Sequence, residues 1–297
     1  MSSRTGRMIT AFSALLFLAA PRGPAFAAAA GAGVFGGRTA TIGEAFDGEV
    51  FDYTIGFWIL DDVAEGSIGL RREADGTYVA ELKARSTGVA DTLVRHRRDS
   101  YVARLEEVEG GRRFRTVRFE KTVAWGWSRS RTVTELDYEK GVITWRTWKG
   151  GRLVDSASFP MEKGAYYDGP LTAFYNFRYG VYGPVGEGVS YAIRTFPKNS
   201  EKDSVILMTI AGRTEIRRRR DGKPAADYLA DVKIDKEIFG SKSGEIEILF
   251  SKDMVPVEAV AKDIVLFGDV RGRLRGMTVP MTFSKSAGLR GGRKALK

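Results

Sequence analysis

Residues 48–59 read GEVFDYTIGFWI, and this stretch decides the fold. Phe51, Tyr53, Ile55, Phe57 and Ile59 fall on every second position, with Val50, Asp52, Thr54 and Gly56 between them. Side chains two apart share one face of a strand, so one face here is wholly aromatic or branched. Tyr78, Ala80, Leu82 and Ala84 alternate with Glu81, Lys83 and Arg85 in the same way. Val117 and Phe119 alternate with Arg118 and Glu120, and Ile246, Ile248 and Phe250 with Glu245 and Glu247. Each pattern is that of a strand with one face buried and one face wet.

Turn chemistry separates these runs. Asp75-Gly76 and Asp221-Gly222 are hairpin signals, because glycine accepts a positive φ without a Cβ clash. Gly110-Gly111, Lys140-Gly141 and Gly150-Gly151 serve the same purpose. Strands joined by such short turns are antiparallel. The runs number about a dozen, and a sheet that large curls. The expected fold is all-β: one large antiparallel, strongly curled sheet, a barrel or half-barrel, spanning 46–283 as a single domain. Val205 to Ile210 (VILMTI) is apolar at nearly every position, which predicts a strand covered on both faces.

One segment breaks the period. Residues 168–178 read DGPLTAFYNFR, with Pro170 suited to a first helical turn and Gly180, Gly183 and Pro184 following. Leu171, Phe174, Tyr175 and Arg178 share one helical face. The spacing predicts a short helix near 169–179, packed on the sheet or plugging it. Asp168 and Arg178 suit the two ends of its dipole.

The amino terminus reads as an address. Arg4 and Arg7 precede the apolar run from Met8 to Ala20, and Ala25-Phe26-Ala27 offers small residues for cleavage. The run is shorter than the about 20 residues that span a bilayer. Residues 1–27 are therefore expected to be a cleaved signal peptide, which places the protein in the periplasm. Residues 28–45 are Ala- and Gly-rich and are expected to form a flexible lead. Gly31, Gly33 and Gly36 fit G-x-G-x-x-G, yet a dinucleotide fingerprint needs a strand before it and a helix after it. Residues 284–297 are expected to form a basic, mobile tail.

Composition narrows the chemistry. The 297 residues include 47 basic and 37 acidic side chains, one histidine and no cysteine. Disulfides, thiolate nucleophiles and cysteine metal sites are excluded, and so is any metal site built on two imidazoles. No cofactor is expected. A cationic exported protein meets anionic lipid headgroups, lipopolysaccharide phosphates or acidic polymers, and not nucleic acid. Outward positions such as Glu81, Lys83 and Arg85 do not suit a lipid-facing barrel wall, so an integral membrane protein is not expected once the signal is removed.

The opening strand from Gly48, Gly66-Ser67-Ile68, the helix ending Tyr175-Asn176-Phe177-Arg178, Gly186-Glu187-Gly188, the Asp253-Met254-Val255-Pro256-Val257 run and Gly268-Asp269-Val270 stand in a familiar order. In these pieces the chain resembles the domain-of-unknown-function 3108 family of exported bacterial proteins. The resemblance implies an exported β-rich protein, and brings no activity, ligand or catalytic residue.

His96 lies among Arg95, Arg97 and Arg98 and reads as a surface histidine; Ser86 or Ser100 beside it sketches a hydrolase, without a G-x-S-x-G elbow. Candidate ligand contacts are Tyr53 on the aromatic strand, Trp125 among the clustered tryptophans, Tyr175 and Arg178 on the helix, and Arg217 and Arg219 in the run Arg217–Arg220. Two arginines of that run on one strand face suit a phosphate, while a solvated sheet edge is the plainer account of the run. Trp125, Trp127, Trp145 and Trp148 either line a cavity or fill the core. The expected function is a non-enzymatic periplasmic module that binds an apolar or amphiphilic envelope ligand. The alternatives are an envelope assembly protein that docks a protein or lipopolysaccharide through its basic surface, and a hydrolase.

Overall fold

The computed structural model describes residues 40–57, 60–93, 95–196, 204–219, 226–279 and 294–295. The first strands form a continuous antiparallel meander. They are β1 (Val50–Phe57), β2 (Leu60–Arg72), β3 (Tyr78–Ser86), β4 (Arg98–Val108), β5 (Arg113–Trp125), β6 (Ser128–Asp137), β7 (Val142–Lys149) and β8 (Arg152–Pro160). The second run holds β9 (Ser190–Arg194), β10 (Val205–Ile210), β11 (Tyr228–Lys233), β12 (Glu245–Phe250), β13 (Pro256–Ile264) and β14 (Gly268–Thr278). Pairing of β1 with β14 joins the two runs into one sheet, in the order β8 down to β1, then β14 down to β9. Among the described residues β8 and β9 remain the two edges, so the sheet is curled and not closed. Half-barrel, of the two expected forms, is the one adopted. Aspartate-glycine chemistry makes the β2–β3 turn, where Gly76 takes φ 83° and the Asp75 carboxylate accepts from the Thr77 N–H.

Among the described residues five helices lie off the sheet: α1 (Ile42–Phe46), α2 (Gly88–Leu93), α3 (Pro170–Tyr179), α4 (Arg213–Arg219) and α5 (Lys236–Phe239). The predicted central helix is α3, capped by Gly169 and ended by Gly180 at φ 92°. It is buried nearly all round, not along one face. Leu171 and Tyr175 pack with β1 to β5, while Ala173 and Phe177 pack with β9 to β12. The curl of the sheet supplies both walls, so the helix is a plug within it.

Several expectations need correction. Ordered chain begins before residue 46: Ile42 and Phe46 of α1 are fully buried, under a capping box made by Thr41 and Glu44. Two residues of the expected tail, Lys294–Ala295, pair with Gly276 and Met277. The VILMTI strand, β10, is covered on one face only, with Ile206, Met208 and Ile210 inside and Val205 and Leu207 outside. Arg217 and Arg219 lie on the helix α4, not on a strand at a hairpin tip. The expected signal peptide, the G-x-G-x-x-G match and Asp221-Gly222 lie outside the described residues.

Antiparallel pairing sends successive hairpins to opposite ends of the sheet. The β1–β2, β5–β6, β7–β8 and β13–β14 tips lie at one end, the upper rim; the β2–β3 and β4–β5 tips lie at the other. Toward the lower end, α1 and α3 fill the interior with Phe46, Phe51, Phe114 and Tyr175.

Candidate functional site

Above the plug the interior is not filled. A cavity of about 270 Å³ lies between α3 and the concave faces of β1–β3 and β10–β14. A second, of about 170 Å³, adjoins it toward the upper rim, and Ile55, Leu82, Ala84, Phe239, Ala261 and Val270 border both. Register explains the space. Gly66 pairs with Tyr53 and Ala84, Ala259 pairs with Gly272, and Ala261 pairs with Val270, so small side chains stand together on the concave face. Tyr53, Ile55, Leu82, Ile246 and Ile248 project inward yet are only half-buried. The two spaces together reach the roughly 300–1,000 Å³ of small-molecule pockets.

Apart from Tyr53, Ser67 and Lys83 in the wall of the larger cavity, the polar groups gather at the rim. Arg85, Ser86, Arg97 and Asp99 border the smaller cavity beside Phe267. Arg97 donates to Asp99 at 2.9 Å, and its guanidinium lies 5.1 Å from the centre of the Phe267 ring. α5 spans the opening: Phe239 meets the Tyr101 ring at 5.2 Å, and the Lys121 ammonium donates to the Glu237 carbonyl at 2.5 Å.

The floor is held by two buried polar clusters. Arg178 donates to both Glu49 oxygens at 2.5 and 2.9 Å and to the Met254 carbonyl at 2.8 Å. Its guanidinium is ringed by Phe46, Phe51, Phe174 and Tyr175 at 4.7 to 5.7 Å from their centres. Arg113 and Tyr182 donate to Asp168 at 2.5 and 2.6 Å. Burial pushes the Asp168 carboxyl above its ordinary range, against the opposing pull of Arg113. Asn176 closes the seam: its amide accepts from the Phe114 N–H and donates to the Phe114 carbonyl, both at 2.9 Å. Asn176→Ala leaves both backbone groups buried without a partner and is expected to cost about 2 kcal/mol, at roughly 1 kcal/mol or more for each. Urea unfolding followed by circular dichroism measures it.

Of the residues expected to touch a ligand, Tyr53 lies in the cavity wall, with its hydroxyl given to the Pro256 carbonyl at 2.7 Å. Burial raises the pKa of its hydroxyl far above the ordinary value. Tyr175 is buried in the floor, where its hydroxyl has no hydrogen-bond partner among the described residues. Arg178 is engaged by Glu49 through both terminal nitrogens, and its dipole role is secondary to that pair. Trp125 and Trp127 stand on the surface, 37% and 105% exposed, whereas Trp145 alone of the cluster is buried. Arg219 is shared among Glu215, Asp231 and Glu247, and Arg217 borders a separate surface groove. The structure thus brings Tyr53, Tyr175 and Arg178 together at the floor and leaves Trp125, Arg217 and Arg219 apart from them. The small residues that make the cavity, Gly66, Ala84, Ala259, Ala261 and Gly272, were missed; their alternation was visible, but not their convergence.

His96 is exposed and its Nδ1 is paired with the Asp91 carboxylate, which also accepts from the Ser86 hydroxyl at 2.5 Å. These hydrogen bonds hold the Asp91 carboxyl below its ordinary range. The carboxylate, not the imidazole, stands between the other two groups. A base for a serine nucleophile requires the reverse order.

Among the described residues no helix is long and apolar enough to cross a membrane. No curated protein matches the chain. A crystal structure of a beta-barrel-like protein of domain of unknown function DUF1849 from Brucella abortus is similar at 10% identity and TM-score 0.42, over 78% of this chain and 97% of that one. MucB in complex with MucA is similar at 10% identity and TM-score 0.15, over 86% and 95%. The MucA/MucB complex of Pseudomonas aeruginosa is similar at 9% identity and TM-score 0.14, over 84% and 93%. A family model described as a protein of unknown function (DUF3108) matches residues 50–275, and the chain belongs to that family.

Proposed function

We propose that this protein is a periplasmic, non-enzymatic module that holds an apolar or amphiphilic envelope ligand in the interior of its curled sheet. The observation that carries this reading is the pair of adjoining cavities, walled largely by apolar and small side chains, with Arg85, Arg97 and Asp99 gathered at the rim. That distribution suits a molecule with a hydrocarbon portion inside and a polar end at Arg85, Ser86, Arg97 and Asp99. The signal-like residues 1–27 support delivery to a compartment where such molecules are in transit. The arrangement of Ser86, Asp91 and His96 supports a binding role over hydrolysis.

Titration of delipidated protein with a fluorescent fatty-acid analogue tests the reading. Saturable binding with enhanced emission is expected. Emission that rises only in proportion to added protein, as for non-specific contact, contradicts it.

A further inference from the structure

We infer that the upper rim docks on a bilayer bearing anionic headgroups, through the paired β5–β6 and β7–β8 hairpin tips. This inference rests on the ligand-binding reading, because the same rim opens onto the cavity. Trp127 is wholly exposed at 105%, Trp125 is 37% exposed, and Leu153 and Val154 of the neighbouring tip are 50% and 48% exposed. The Gly150 N–H donates to the Arg129 carbonyl at 2.9 Å, which holds the two tips side by side. Among these apolar groups stand Arg129, Lys149 and Arg152, all exposed and without a carboxylate partner among the described residues. Residues 124–132 and 145–154 contain no aspartate or glutamate.

The chemistry selects the partner. Tryptophan favours the boundary between hydrocarbon and headgroup, where its ring is apolar and its N–H is wet. Lysine and arginine at that depth meet the phosphates of anionic lipids. Four large apolar side chains exposed on two adjoining tips, Trp125, Trp127, Leu153 and Val154, form the kind of patch that marks an interaction or membrane surface. The patch is continuous with the cavity mouth: the Gly126 N–H donates to the Arg95 carbonyl at 2.7 Å, two residues from Arg97 on the rim. Docking there would set the opening against the lipid surface, so that an acyl chain passes between the two without crossing water.

The test uses the exported form, residues 28–297, with equimolar phosphatidylglycerol–phosphatidylcholine vesicles and with phosphatidylcholine vesicles alone. Co-sedimentation with the anionic vesicles, weakened by salt, is expected. Trp125→Ala with Trp127→Ala is expected to weaken partitioning about tenfold. Arg129→Glu, Lys149→Glu and Arg152→Glu together are expected to weaken it about a hundredfold. Brominated acyl chains are expected to quench the parent's tryptophan emission. Indifference to vesicle charge, absence of quenching, or partitioning of both variants equal to that of the parent overturns the proposal. Ala261→Phe, deep in the cavity, separates it from the binding reading. Docking without uptake of the fatty-acid analogue by the parent refutes the cavity, while uptake without docking refutes the rim.

Discussion

Glu49→Gln is expected to destabilise the protein by about 3–5 kcal/mol, the usual cost of leaving one member of a buried ion pair without its counter-charge. Arg178 is 1% exposed and Glu49 2% exposed, so water does not take over the lost charge. The pair joins the last turn of α3 to the residue before β1, and the third donor of Arg178 ties both to the loop at Met254. Four aromatic rings enclose the guanidinium and attract it through their faces, which helps a cation but does not replace a carboxylate. Replacing both partners, Glu49→Leu with Arg178→Met, is expected to recover most of the loss, because two apolar groups leave no charge to solvate. Chemical denaturation of the three proteins measures both statements. A Glu49→Gln protein as stable as the parent would show that the pair is not what holds the plug in the sheet.

Ala261→Phe is expected to lower affinity for an apolar ligand by at least tenfold, a loss of about 1.4 kcal/mol or more. Ala261 borders both cavities, and its Cβ points to the space shared by Ile55, Leu82 and Phe239. A phenyl ring there occupies volume that the ligand needs. In the free protein the same ring meets open space, so stability is expected to hold or rise by up to about 1 kcal/mol. Loss of binding with an unchanged melting temperature is the signature of a blocked cavity. Loss of both would place Ala261 in packed core.

Much of the sheet was legible because period two is a local property. The alternation at Phe51, Tyr53, Ile55 and Phe57, and the Asp75-Gly76 turn, identified β1 and the β2–β3 hairpin from a few residues each. Pro170 and Gly180 bounded α3 for the same reason. Five-residue α1 was too short for periodicity to register, although Thr41 and Glu44 already had the spacing of a capping box. The arginine run of α4 carried no apolar pattern to distinguish a helix from a strand. Glu49 and Arg178 stand 129 residues apart, and no local signal links them. The cavity was hidden by the same limit. Gly66, Ala84, Ala261 and Gly272 are unremarkable singly, and only the register of five strands puts them on one wall. The candidate arginines attracted a ligand role because a cation in a sequence shows its charge but not its partner.

The most direct measurement is native mass spectrometry of the protein taken gently from the periplasm, followed by solvent extraction and identification of whatever it carries. The cavity account predicts an amphiphile with a hydrocarbon chain, held near one per protein and missing from Ala261→Phe. Bare polypeptide mass in both proteins, with no uptake when such amphiphiles are supplied, would contradict it.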